Sequence, residues 1–155
     1  MNEILVKQAD EFLKSEDTLS ALCNITALLY QQLEMVNWVG YYFYKNGKLI
    51  LGPFQGKVAC SSIPIGKGVC GTSYERKMLL NINDVTKFEG HIACDEDSCS
   101  ELVVPLIYKN TIFGVIDIDS PVYRRFGTNE EETVEEIAKL ISKKLACKKG
   151  LLRND

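Results

Sequence analysis

Residues 38–51 read Trp38-Val39-Gly40-Tyr41-Tyr42-Phe43-Tyr44-Lys45-Asn46-Gly47-Lys48-Leu49-Ile50-Leu51. Aromatic and other β-favouring residues flank an Asn-Gly pair, the residues a two-residue hairpin turn needs because both central positions take positive φ. Two antiparallel strands follow. The period of two puts Trp38 and Tyr42 on one face of the first strand and Tyr41 and Phe43 on the other. Both faces can be core, or one can pack while the other holds a ligand. A second hairpin is read from Leu102 to Tyr108, a tight turn near Lys109-Asn110, and Ile112 to Asp119. In it Asp117 and Asp119 share one face and Ile116 and Ile118 the other, so two carboxylates stand side by side on a strand otherwise built for burial.

Working outward, residues 3–13 place Ile4, Leu5, Phe12 and Leu13 at helical intervals, and the pattern breaks at Lys14-Ser15-Glu16-Asp17. A second helix starts at Thr18, with Asp17 or Thr18 as N-cap, and carries Leu19, Leu22, Cys23, Ile25, Thr26, Leu29 and Leu33 as its apolar stripe, Cys23 acting as a small core hydrophobe. Gly52-Pro53 is expected to end the second strand. Val58 to Ile65 is extended and holds Cys60, a short helix covers 69–77, and Met78 to Ile82 is a short strand. Thr128-Asn129-Glu130-Glu131 has capping-box spacing and opens a long closing helix through Val134, Ile137, Ala138, Ile141 and Leu145, with Cys147 at its end. The fold class is α+β: one domain over 1–155, with an antiparallel sheet, long helices on one face and loops over the other.

With 155 residues, 46% hydrophobic and 25% charged, the chain has the balance of a soluble globular domain. A formal charge of −3 and scattered Lys and Arg give no basic field, so nucleic acid is not an expected partner. No stretch approaches the roughly 20 apolar residues of a membrane span, and Met1 to Lys7 does not read as a secretion signal. The expected setting is the cytoplasm. There, six cysteines are reduced at rest and point to redox, catalytic or metal chemistry rather than to a disulfide scaffold.

The residue types that do chemistry collect in a long polar segment, Gly90-His91-Ile92-Ala93-Cys94-Asp95-Glu96-Asp97-Ser98-Cys99-Ser100-Glu101. Cys94 reads as the reactive atom. His91, Cys94 and Cys99 with Cys60 or Cys70 would also make a loose zinc set, but no Cys-x-x-Cys pair supports it, and neither metal nor cofactor is expected. Gly66-Lys67-Gly68-Val69-Cys70-Gly71 matches no phosphate-loop pattern and reads as a tight turn opening a helix, whose backbone N–H groups suit a small anion such as a carboxylate.

From Trp38 to Phe126 these motifs resemble the free methionine-(R)-sulfoxide reductases, which are single GAF domains. The resemblance rests on Asn37-Trp38-Val39-Gly40, Leu51-Gly52-Pro53-Phe54-Gln55-Gly56-Lys57, Cys60, Gly66 to Gly71, Gly90 to Asp95, Ser100-Glu101 and Asp117-Ile118-Asp119-Ser120-Pro121. It implies reduction of free L-methionine-(R)-S-oxide, with thioredoxin as the final reductant. By the family's pattern Cys94 is the nucleophile, Cys60 the resolving thiol and Cys70 a third catalytic cysteine. Glu101, Asp117 and Asp119 would grip the substrate and help protonate its oxygen, and Trp38 and Tyr42 would form the aromatic pocket for the S-methyl end. Cys99 departs from the pattern and offers a second resolving thiol. A homodimer is one admissible assembly. The alternative is a non-catalytic GAF module that senses a small molecule.

Overall fold

The computed structural model describes residues 1–15, 17–91 and 96–147. In chain order it has α1 (Glu3–Ser15), α2 (Thr18–Gln32), β1 (Trp38–Lys45), β2 (Lys48–Gly56), β3 (Ser62–Pro64), α3 (Gly68–Arg76), β4 (Leu80–Ile82), a 3-10 turn (Val85–Lys87), β5 (Ser100–Tyr108), β6 (Thr111–Ser120) and α4 (Thr128–Cys147). All six strands join one antiparallel sheet in the order β3-β2-β1-β6-β5-β4. The α+β architecture read from the sequence is therefore the one observed.

Strand alternation divides the apolar side chains into two cores. Val39, Tyr41 and Phe43 of β1, Leu102 and Val104 of β5, and Ile116 and Ile118 of β6 meet α1, α2 and α4 on one face. Trp38, Tyr42, Val103 and Val115 pack with Val69 and Cys70 of α3 on the other. Burying a Leu or Ile side chain stabilises by about 1.5 to 3 kcal/mol, so the helical face supplies most of the folding energy and the other face is free to be shaped for a ligand.

Three local expectations change. Cys23 is exposed rather than core, as is Leu19, because the buried stripe of α2 runs through Thr18, Ala21, Leu22, Ile25, Thr26 and Leu29 and Cys23 lies one further residue around the helix. In α1 the buried face is Leu5, Ala9 and Leu13, four apart, and Ile4 points to solvent. β2 does not stop at Gly52-Pro53: the register passes from Tyr42 opposite Leu51 to Gly40 opposite Phe54, a bulge that absorbs both residues and lets pairing continue to Gly56. The helix caps follow the sequence with one offset. Asp17 Oδ2 accepts from the Leu19 and Ser20 amides at 3.1 and 3.4 Å, whereas at α4 it is Glu130 that reaches back, accepting from the Gly127 N–H at 2.8 Å, one residue before the predicted box.

Gly40 sits between Trp38 and Tyr42 on the face away from the helices, and a methyl there would lie 2.5 Å from Trp38 Cη2 and 2.6 Å from Phe54 Cβ. The indole lies flat over this missing side chain. Gly40→Ala is expected to cost about 1 to 3 kcal/mol through overpacking, read as a lower urea midpoint, and to change the emission of Trp38, the single tryptophan.

Candidate active site

The site is built on three neighbouring strands. The register places Trp38 opposite Asp119, Asp119 opposite Glu101, Gly40 opposite Asp117 and Asp117 opposite Val103. Side chains directly opposite one another share a face, so two acids and the indole form one row across the sheet, and Asp117 stands in the next row behind the space left by Gly40. Glu101 is 7% exposed and Asp117 6%, and Asp119 is half-buried. A pocket over this face is lined by Trp38, Tyr42, Cys70, Glu101, Asp117 and Asp119, with Val58 and Ala59 from the loop after β2 and His91 and Ser98 from the long segment before β5. It gathers every sequence-predicted binding residue together with Cys70.

Burial controls the charge states. It pushes the Glu101 carboxyl well above the usual range, and the nearby Asp117 and Asp119 carboxylates push the same way. Asp117 is also raised by burial, an effect partly offset by hydrogen bonds from Glu101 and Cys70. The shared proton therefore sits on Glu101, with Asp117 as acceptor. Asp117 Oδ1 is buried and has no hydrogen-bond partner among the described residues. The Cys70 thiol, 4.0 Å from Glu101 Oε1, is pushed up by burial and by Asp117, and so keeps its proton. Burial lowers His91, and Asp117 opposes this. Cys70 and single oxygens of Glu101 and Asp117 lie within 4.8 Å of one another, but protonated groups of this kind suit an ammonium or a hydrogen-bonding oxygen better than a metal ion.

The aromatic wall also holds the chain above it. Trp38 stacks between Tyr42 and Phe54, with ring centroids 6.0 and 5.4 Å away. Trp38 Nε1 donates to the Lys57 carbonyl at 3.1 Å, and the Tyr42 hydroxyl donates to the Cys60 carbonyl at 2.9 Å. These bonds fix the 57–60 segment, and Cys60 with it, beside the pocket. Across the mouth Lys57 Nζ meets Asp97 Oδ2 at 2.5 Å, and Asn37 Nδ2 donates to Ser98 Oγ at 3.4 Å. α3 begins at Gly68, whose φ of +62° favours glycine, and its N-cap Lys67 gives no side-chain hydrogen bond. Gly68 and Val69 line the pocket, so the positive end of α3 borders it.

Cys94 lies outside the described residues. Cys99 does not line the pocket; its thiol is 4.0 Å from the Asp97 carbonyl and hydrogen bonds with the Tyr123 hydroxyl. Cys147 is exposed at the end of α4. Sequence reasoning missed Val58, Ala59 and Ser98, which carry no chemical signature and enter only because Trp38, Tyr42 and Asn37 tether their segments.

A profile of the GAF domain family matches residues 17–145. The chain is 49% identical over 128 residues to the free methionine-R-sulfoxide reductase of Escherichia coli (strain K12), covering 83% of this chain and 78% of that one. It is 45% identical over 135 residues to the free methionine-R-sulfoxide reductase of Saccharomyces cerevisiae, covering 82% and 75%. The structure superposes on fRMsr of Staphylococcus aureus in complex with substrate with a TM-score of 0.86 and 46% identity, over 92% of this chain and 94% of that one.

An acid whose pKa is raised by folding destabilises the fold as pH climbs, because the unfolded chain loses its proton first. Wild type should thus lose stability from about pH 4, the unfolded carboxylate range, upward. Glu101→Gln should be as stable as wild type at pH 4 and more stable at pH 8, by about 1.4 kcal/mol per unit of the raised pKa. Equal urea midpoints for the two proteins at pH 8 would show that Glu101 is not held protonated.

Proposed function

Since the chain belongs to the GAF domain family and, within it, to the free methionine-(R)-sulfoxide reductases, we propose that its pocket reduces free L-methionine-(R)-S-oxide to L-methionine. The observation that carries this reading is the burial of Glu101 beside Asp117 beneath an aromatic wall, which holds the Glu101 carboxyl well above the usual range. A sulfoxide oxygen leaves poorly until it is protonated, and a carboxyl that keeps its proton at neutral pH supplies the acid.

In this reading the S-methyl end lies against Trp38 and Tyr42, and the α-ammonium meets Asp117 and Asp119. The substrate carboxylate faces the N-terminus of α3, where N–H groups are free of a side-chain cap. Cys94 attacks the substrate sulfur, takes over the oxygen as a sulfenic acid and releases methionine. Cys60 then displaces water to form a disulfide, which thioredoxin reduces. Tyr42 serves both ends of the cycle, since it lines the substrate pocket and holds the Cys60 carbonyl. Cys70, buried against Glu101, is the third cysteine and orders the acid by its hydrogen bond; Cys99 is the rival resolving thiol. The setting in this reading is the cytoplasm, and a homodimer is one admissible assembly.

NADPH consumption with thioredoxin and thioredoxin reductase, compared for the two sulfoxide epimers, tests the activity. Turnover of the R epimer alone is expected, and tight binding without turnover would favour the sensing module instead. Cys94→Ser should release no methionine. Cys60→Ser should release one equivalent and then stop, whereas full thioredoxin-supported turnover by Cys60→Ser, lost in Cys99→Ser, would transfer the resolving role.

Selectivity for the free amino acid has a separate test. A peptide-bound residue brings an uncharged amide where the ammonium would sit, and leaving desolvated carboxylates unpaired costs about 2 to 5 kcal/mol, a factor of roughly 30 to several thousand. Asp117→Asn and Asp119→Asn should lower kcat/KM for the free sulfoxide far more than for its N-acetyl derivative. Equal losses on both substrates would confine the acids to protonation.

A further inference from the structure

His91 is the only imidazole in the chain, and the reaction as described leaves it unused. It lines the pocket with Nε2 4.0 Å from Glu101 Oε2, and its side chain is 18% exposed against 9% for the glutamate. Its backbone N–H is fixed to the Phe88 carbonyl at 3.2 Å. The ring thus stands at the boundary between the buried acids and the pocket opening. The groups that share the pocket with it are Glu101 of β5, Asp117 and Asp119 of β6, Cys70 of α3 and Tyr42 of β1. Among them it is the one side chain whose ordinary pKa lies near neutrality.

The chemistry requires a proton to cross this space. When the substrate S–O bond breaks and a Cys94 S–O bond forms, the substrate sulfur is reduced and the cysteine sulfur is oxidised, with no net gain or loss of protons. Yet the attacking thiol must lose a proton and the departing oxygen must gain one. If Glu101 protonates the oxygen, it is left as a buried carboxylate beside Asp117, an arrangement the site disfavours until a proton returns. The thiol proton is the matching one.

We propose that His91 is the proton relay of this site, taking the proton from the Cys94 thiol on one ring nitrogen and returning a proton to Glu101 from the other. The proposal rests on the reductase reading of the pocket and deepens it. Two residues, Ile92 and Ala93, separate His91 from Cys94 in the sequence, so chain connectivity alone keeps the two within about 11 Å of extended backbone. Burial favours the neutral ring, the form able to accept a proton. A gap of 4.0 Å is longer than a hydrogen bond and closes by a side-chain rotation or through one water, as acid–base contacts do when substrate fills a site.

The test combines NMR titration of the single imidazole in the full-length reduced protein with the pH profile of single-turnover methionine release. In wild type the acid limb of the rate should share its midpoint with the ring titration. His91→Gln keeps an amide near the Nε2 position but cannot titrate. It should lower the single-turnover rate about 100-fold with KM nearly unchanged, abolish the acid limb and regain rate when imidazole is added. His91→Asn, with an amide near Nδ1, gives the same three readouts should the Gln variant misfold. A variant within twofold of wild type, or one that is slow but keeps the acid limb or ignores imidazole, would overturn the relay and leave an ordering role for the loop. Failure of wild type itself to release methionine from the free sulfoxide would instead overturn the reductase reading, and the relay with it.

Discussion

The pairing of β5 with β6 is the constraint on which the rest of the molecule depends, because it sets Glu101 against Asp119 and Asp117 against Val103 on strands buried from both sides. A strand slipped by one residue would turn these acids into the helical core and Ile116 and Ile118 into the pocket. The helices prevent that. Leu102, Val104, Ile116 and Ile118 lock into the apolar faces of α1, α2 and α4, so the face that supplies stability also holds the acids in register on the face that does not. The electrostatic strain of the cluster is borne by packing on the opposite side of the same strands.

How far the sequence reveals this depends on the range of the physics involved. Strand alternation and the Asn-Gly turn are local, and they correctly separate Trp38 and Tyr42 from Tyr41 and Phe43, and Asp117 and Asp119 from Ile116 and Ile118. The extension of β2 through Gly52-Pro53 is not local. Gly52 is kept because the Phe43 ring lies over it, 2.7 Å from where a methyl would sit, and the bulge that absorbs Pro53 exists only when β1 is alongside. Cys23 falls outside the core for a related reason: α2 carries apolar residues on more than one face, and only contact with the sheet selects which is buried.

In the site, the acids and aromatics announce themselves by residue type, whereas Val58, Ala59 and Ser98 do not. Their positions follow from hydrogen bonds to main-chain carbonyls and from a Lys57–Asp97 ion pair, interactions with no periodicity to detect. The approach of His91 to Glu101, 4.0 Å between Nε2 and Oε2, is of the same kind, since the two are ten residues apart in the chain and no local periodicity brings them together. Cys99 is suggested by its proximity in sequence to Cys94, whereas in the fold its thiol lies 4.0 Å from the Asp97 carbonyl and it does not line the pocket.

Acids clustered and buried in one pocket hold on to protons, and this links recognition to chemistry in the proposed reaction. With the site empty, burial and mutual repulsion hold the Glu101 proton tightly. An ammonium arriving beside Asp117 and Asp119 supplies the missing positive charge and favours the ionised carboxylates, so it lowers the affinity of Glu101 for its proton. The acid is strengthened only when a substrate with a free amino group is bound, which is also when a sulfoxide oxygen is present to receive the proton. A substrate lacking that charge leaves Glu101 a weaker acid as well as leaving the carboxylates unpaired. Selectivity and proton donation then draw on one electrostatic balance, set by where β5 and β6 place their side chains.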